Sequence, residues 1–265
     1  MLTKFYSSDI IINNSYVTNR IFVQVNGGIF KMSKRTIGMG GFTLAEVLIT
    51  LGIIGVVAAM TMPTLMNQTN GAQYKAAYKK ALSAIGQAVT LNVALDGGNF
   101  ADTVAGTAGT TALTADTDKV TIANILGARM NVVKTDAAPA HFDATSVTNG
   151  KGVALTDVDT TLYFNDGSMF TFKNAGGACK AFSEAGNGTI CEGYIDVNGL
   201  KGPNKVVTCS TGTTTKDTVD ETTGVITPTD AACTVASPTD IYPVFYYDQT
   251  IVPSTNAAKA VLYAK

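Results

Sequence analysis

The sequence is short of the residues on which most enzyme chemistry depends. It holds one histidine, His141, in 265 residues. A His-rich metal site or a His-based triad needs imidazoles set beside partners, and a single one argues against both. No Gly-x-Ser-x-Gly elbow and no phosphate-binding glycine loop occurs. Charge is scarce too, at 15% of residues, with Lys+Arg 19 against Asp+Glu 20. The resulting net charge of -1 provides no overall basic field for nucleic acid. Four cysteines are too few for a disulfide-framework mini-protein and suit two bridges in a larger exported domain. The sequence therefore reads as something other than an enzyme.

What it has in excess is apolar character, with a mean hydropathy of +0.19, and that excess is concentrated. From Phe42 to Met62 the chain runs FTLAEVLITLGIIGVVAAMTM, with Glu46 as its one ionisable side chain. At about 1.5 Å per residue the run spans roughly 30 Å, the thickness of a bilayer's hydrocarbon core. A buried core helix is the competing reading, but such helices are usually shorter and less uniformly apolar. Lys31, Lys34 and Arg35 lie just before the run and no Lys or Arg follows until Lys75. The positive-inside rule then sets the N-terminus in the cytoplasm and everything after Met62 outside. Glu46 is the anomaly: an ionised carboxylate in hydrocarbon costs on the order of 3 kcal/mol, so it must be neutral, snorkelling or paired.

A proteolytic cut would supply the pair. An ordinary secretory signal is cut after its apolar region, whereas here the small residues Gly38-Met39-Gly40-Gly41 precede it. Cleavage between Gly41 and Phe42 leaves the helix on the mature protein and creates an ammonium at Phe42, four residues from Glu46.

Gly41-Phe42-Thr43-Leu44-x-Glu46, behind the basic Lys34-Arg35 and ahead of the apolar run, resembles the type III signal of type IV prepilins and type II secretion pseudopilins. Pro63 falls where many of them carry a helix-kinking proline, and the resemblance covers roughly residues 34 to 70. It implies that Gly41 is the last leader residue read by a membrane-embedded prepilin peptidase and that Phe42 becomes an N-methylated first residue. Glu46 would pair with the Phe42 ammonium of a neighbouring subunit and set axial register in a filament. A buried ion pair suits that task, because it adds little net stability but penalises misregister. The implied partners are copies of the chain, other pilin-like subunits, the peptidase and an inner-membrane assembly platform.

Leaders of this family are short, yet about 40 residues precede Phe42. Met32 would open a leader of the expected kind, MSKRTIGMGG, and the codons for Gly27-Gly28 suit a ribosome-binding sequence; on this reading residues 1–31 reflect a mis-assigned start. Removing residues 1–41 takes away five basic residues and one acidic, leaving 14 against 19 and a net charge of -5.

Beyond Pro63, apolar residues at Tyr74, Tyr78, Leu82, Ile85, Val89 and Val93 fall four and three apart, one face of an amphipathic helix. Lys75, Lys79 and Lys80 lie largely off that face and read as a solvated surface. Pro63, Asn67, Asn70 and Gly71 weaken the junction and predict a kinked or partly melted stretch. If continuous, Phe42 to Leu95 makes a helix of roughly 80 Å, stopped by Asp96-Gly97-Gly98-Asn99.

Residues 101–118 are small and polar and read as a mobile loop, and residues 120–133 as a short helix or strand. Thr161–Phe164 and Met169–Phe172, joined by Asn165-Asp166-Gly167-Ser168, predict a β-hairpin. Further strands are expected at Gly193–Val197 and Tyr242–Tyr247. Tyr242, Phe245, Tyr246 and Tyr247 have few basic neighbours and belong to a sheet core rather than a nucleic-acid face. Asp157 and Asp159 read as a solvated strand edge. The order predicts an α+β fold, pilin-like by resemblance, with a long N-terminal helix on a C-terminal antiparallel sheet. Its parts are a leader (1–41), a transmembrane helix (42–62), that helix's second half (63–95) and a globular head (96–265).

Four cysteines allow three pairings; Cys179 with Cys191 and Cys209 with Cys233 closes each loop locally. Zinc lacks the usual spacing. Asp196-Val197-Asn198-Gly199 opens a string, DVNG-x-KGPN, similar to one often seen in the C-terminal part of pseudopilin-like proteins. It reads as a structural turn or as a calcium loop with Asp196, Asn198 and Asp240 as ligands. No other cofactor is expected. The function expected is that of a structural subunit precursor of a type II secretion pseudopilus or type IV pilus-like filament. The alternatives are a minor tip pilin that binds DNA or surfaces through its Thr-rich loops, and a membrane-anchored exported enzyme.

Overall fold

The computed structural model describes residues 24–25, 28–29, 41–110, 120–138, 158–181, 189–210, 214–220, 223, 225–229 and 231–263. Lys31, Met32, Lys34, Arg35, His141 and Asp157 lie outside them. The chain divides into two compact units, residues 1–57 and 58–265. The first holds a small antiparallel hairpin, β1 (Gln24–Val25) with β2 (Gly28–Ile29), and the start of the long helix.

Helix α1 runs from Leu44 to Asp96. The stretch from Leu44 to Pro63 has a mean hydropathy of 2.2 and none of it is buried, so it is long and apolar enough to cross a membrane. The backbone stays helical through Pro63 and through Asn67, Asn70 and Gly71. The melted stretch expected there is absent. Pro63 removes only the one bond its missing N–H would have made, and Gly71 is held by packing. A Cβ on Gly71 would stand 3.0 Å from Pro238 Cδ, so the chain at 238 presses against the helix at this point. The helix ends where Gly97 takes a φ of +77°, the left-handed turn that glycine adopts without penalty. Arg129 pairs with Asp96 and also donates from Nε to Asn92 Oδ1 at 3.4 Å, placing a cation at the helix's negative end.

The second unit is built on a six-stranded antiparallel sheet. Its strands are β3 (Val132–Asp136), β4 (Thr160–Phe164), β5 (Met169–Phe172), β6 (Cys191–Asp196), β9 (Ile241–Tyr247) and β10 (Thr250–Pro253), in the order β10-β9-β6-β5-β4-β3. The expected hairpin is β4–β5, with Tyr163 opposite Met169 and Gly167 at φ +86° in the turn. The register sets Leu162, Phe170, Ile195 and Tyr242 in one row across four strands. All four are buried, and Tyr78, Ala81, Ile85, Ala88 and Val89 of α1 belong to the same core. The helix face read from the sequence is thus the packed face, although Tyr74, Leu82 and Val93 are only half-buried. Tyr242, Phe245 and Tyr246 are fully buried in the sheet.

Residues 120–133 hold both alternatives in succession: α2 (Ile122–Arg129), then the start of β3. α2 is capped by Thr121, whose side chain accepts from the Asn124 N–H. A C-terminal helix, α3 (Asn256–Tyr263), buries Ala257, Ala258 and Val261. A separate hairpin pairs β7 (Thr218–Asp220) with β8 (Val225–Thr227).

Three surface readings change. Lys80 is tied to Asp166 of the β4–β5 turn at 2.8 Å rather than solvated alone. Asp159 is no solvated edge: its carboxylate accepts from the Asn174 and Ala175 N–H groups at 2.8 and 2.9 Å, capping a 3-10 turn. The described part of the expected loop, 101–110, opens in a 3-10 turn (Phe100–Asp102) and is then held by Asn174, which is buried and donates to the Thr107 and Thr110 carbonyls.

Candidate functional site

The sequence places its candidate chemistry in three locations. The first is the start of α1. Phe42 is 87% exposed and Thr43 precedes the helix as its cap. Glu46 Oε2 accepts from Thr43 N at 2.8 Å and from Thr43 Oγ1 at 2.9 Å, while Thr43 Oγ1 accepts from Glu46 N at 3.2 Å. This reciprocal pattern is a capping box. Sequence reasoning treated Glu46 as a lone carboxylate and missed Thr43, although Thr-x-x-Glu ahead of an apolar run is itself the signal. The cap gives Glu46 polar partners within its own chain, which lowers the cost of holding a carboxylate beside an apolar run. Its charge nevertheless remains without a cation among the described residues at this end of the helix.

The second location is the DVNG turn. Asp196 ends β6 and Asp240 immediately precedes β9; both are fully buried. The strand pairing brings them together, since Val197 N donates to Asp240 O at 3.0 Å. Asp196 Oδ1 accepts from the Asn198 and Gly199 N–H groups at 3.1 and 2.9 Å. Asp240 accepts from Asn204 N at 2.7 Å and Lys205 N at 2.8 Å, one bond to each carboxylate oxygen. Gly199 sits at φ +69°, and a Cβ there would fall 2.6 Å from Gly167 O, so the position requires glycine. The turn reading is thereby met in full.

Asn198 is tied to Asp196 and Asn204 to Asp240, each through its backbone N–H. Asn198 Nδ2 donates to Gly202 O at 3.2 Å and lies 3.5 Å from Tyr74 Oη. The Oδ1 atoms of both asparagines are buried and have no hydrogen-bond partner among the described residues. Burial, then the negative charge of Asp240, push the Tyr74 hydroxyl above its ordinary pKa, with a smaller push from Asp196. Two carboxylates and two unsatisfied amide oxygens are hard donors of the kind calcium takes. Asn204 was not among the ligands expected from the sequence. Among the described residues no group of three or more His, Cys, Asp or Glu gathers at one point.

The third location is the pair of disulfides, Cys179–Cys191 and Cys209–Cys233, the local pairing. Cys179 and Cys209 are buried in the core, so both bridges tie loops to the sheet rather than presenting thiol chemistry. Asp217, almost wholly buried, receives Lys259 of α3 and the Thr229 N–H, holding the β7–β8 excursion against the C-terminal helix.

Comparison with protein-family models, with curated proteins and with solved structures finds no match to this chain.

Proposed function

We propose that the chain is the precursor of a pilin-type filament subunit, serving a type II secretion pseudopilus or a type IV pilus-like filament. The observation that carries the reading is the coincidence at one helix end of Gly41, an exposed Phe42, a capped Glu46 and a twenty-residue apolar run none of which is buried. Exposed apolar surface of this extent needs lipid or other copies of itself to cover it. A membrane-stored subunit that later polymerises through this helix uses both covers in turn.

In this proposal a prepilin peptidase cuts after Gly41 and the new Phe42 amine is methylated. The N-terminal end of the span faces the cytoplasm and the residues after Pro63 lie outside. The Phe42 ammonium of one copy meets Glu46 of another, and the capping box keeps Glu46 satisfied until then. Co-expression with a prepilin peptidase tests this. Wild-type chain should shorten while Gly41→Asp stays at precursor length; equal processing of both, or of neither, contradicts the proposal.

The unsatisfied Asn198 and Asn204 oxygens favour one addition. A calcium ion held by Asp196, Asp240, Asn198 and Asn204 would supply structural charge neutralisation at the head's turn, with no catalytic part.

A further inference from the structure

We draw no further inference here: the strongest candidate, the apolar groove between α1 and the edge strand β10 lined by Leu82, Gly86, Leu91, Ile251 and Leu262, carries nothing because nothing in the structure shows what covers it.

Discussion

Tyr78, on the long helix, stacks on Tyr242, on strand β9, with ring centroids 3.9 Å apart and planes 9° from parallel. Both are fully buried, and this contact joins the helix to the row of core residues that crosses the sheet. Burial pushes both phenols far above their ordinary pKa, so they stay neutral at any working pH.

Truncating that contact should be costly. Tyr78→Ala is expected to lower unfolding stability by about 3–5 kcal/mol, as for other large aromatic deletions in cores. Tyr78→Phe should change it by less than about 1 kcal/mol, because the Tyr78 hydroxyl has no hydrogen-bond partner among the described residues. Denaturant midpoints of the two variants check this, and a Phe variant as damaged as the Ala variant would contradict the packing account.

The capping box separates two roles of Glu46. Thr43→Val should weaken the helix start by about 1 kcal/mol while processing and assembly persist. Glu46→Ala should leave processing intact and abolish filaments. Immunoblots for precursor and mature forms, with electron microscopy of sheared filaments, read both; normal filaments from Glu46→Ala rule out the register role.

Acid should loosen the tie between α1 and the β4–β5 turn. Burial works to raise the Asp166 carboxyl, but hydrogen bonds from Lys80 and Ser168 outweigh it and hold it at about 2 against an ordinary 3.8. A lowered folded-state value means stability fully present above about pH 4 and lost as pH falls toward about 2. With the side chain 36% exposed, solvent screening leaves about 1 kcal/mol of this. Asp166→Asn should remove that part of the acid sensitivity, seen as urea midpoints at pH 5 and pH 2.5 that lie closer together than in wild type, about as set by this linkage.

Excess calcium should raise the melting temperature of the wild-type chain, and Asp240→Asn should abolish the rise. A melting temperature indifferent to calcium leaves the Asp196–Asp240 pair as a turn clasp alone.

The sequence was most legible where local pattern and tertiary role coincide. The face from Tyr74 to Val89 was readable because its period matches its burial, and the β4–β5 hairpin because Asn165-Asp166-Gly167 names its own turn. β10 was hidden by Pro253, which discourages a strand reading; as the sheet's edge it tolerates proline. Pro243 in β9 costs little, since its carbonyl accepts from Ser254 N, so its ring nitrogen faces the same side, past the last β10 pair at Pro253 and Val244. Asp159 and Asn174 take their roles from partners 15 or more residues away, among them Thr107 and Ala123, which no local window contains. At the site, Gly41, Phe42 and Glu46 were legible as a string, whereas Asn204 enters only through the fold that returns Asp240 to it.

The most direct test of the filament-subunit reading is the chemical identity of the mature N-terminus. Mass spectrometry of the chain extracted from membranes of a producing cell should find its first peptide beginning at Phe42, with a methyl group on the amine. A first peptide that begins upstream of Phe42, or one cut beyond the apolar run, would contradict the account.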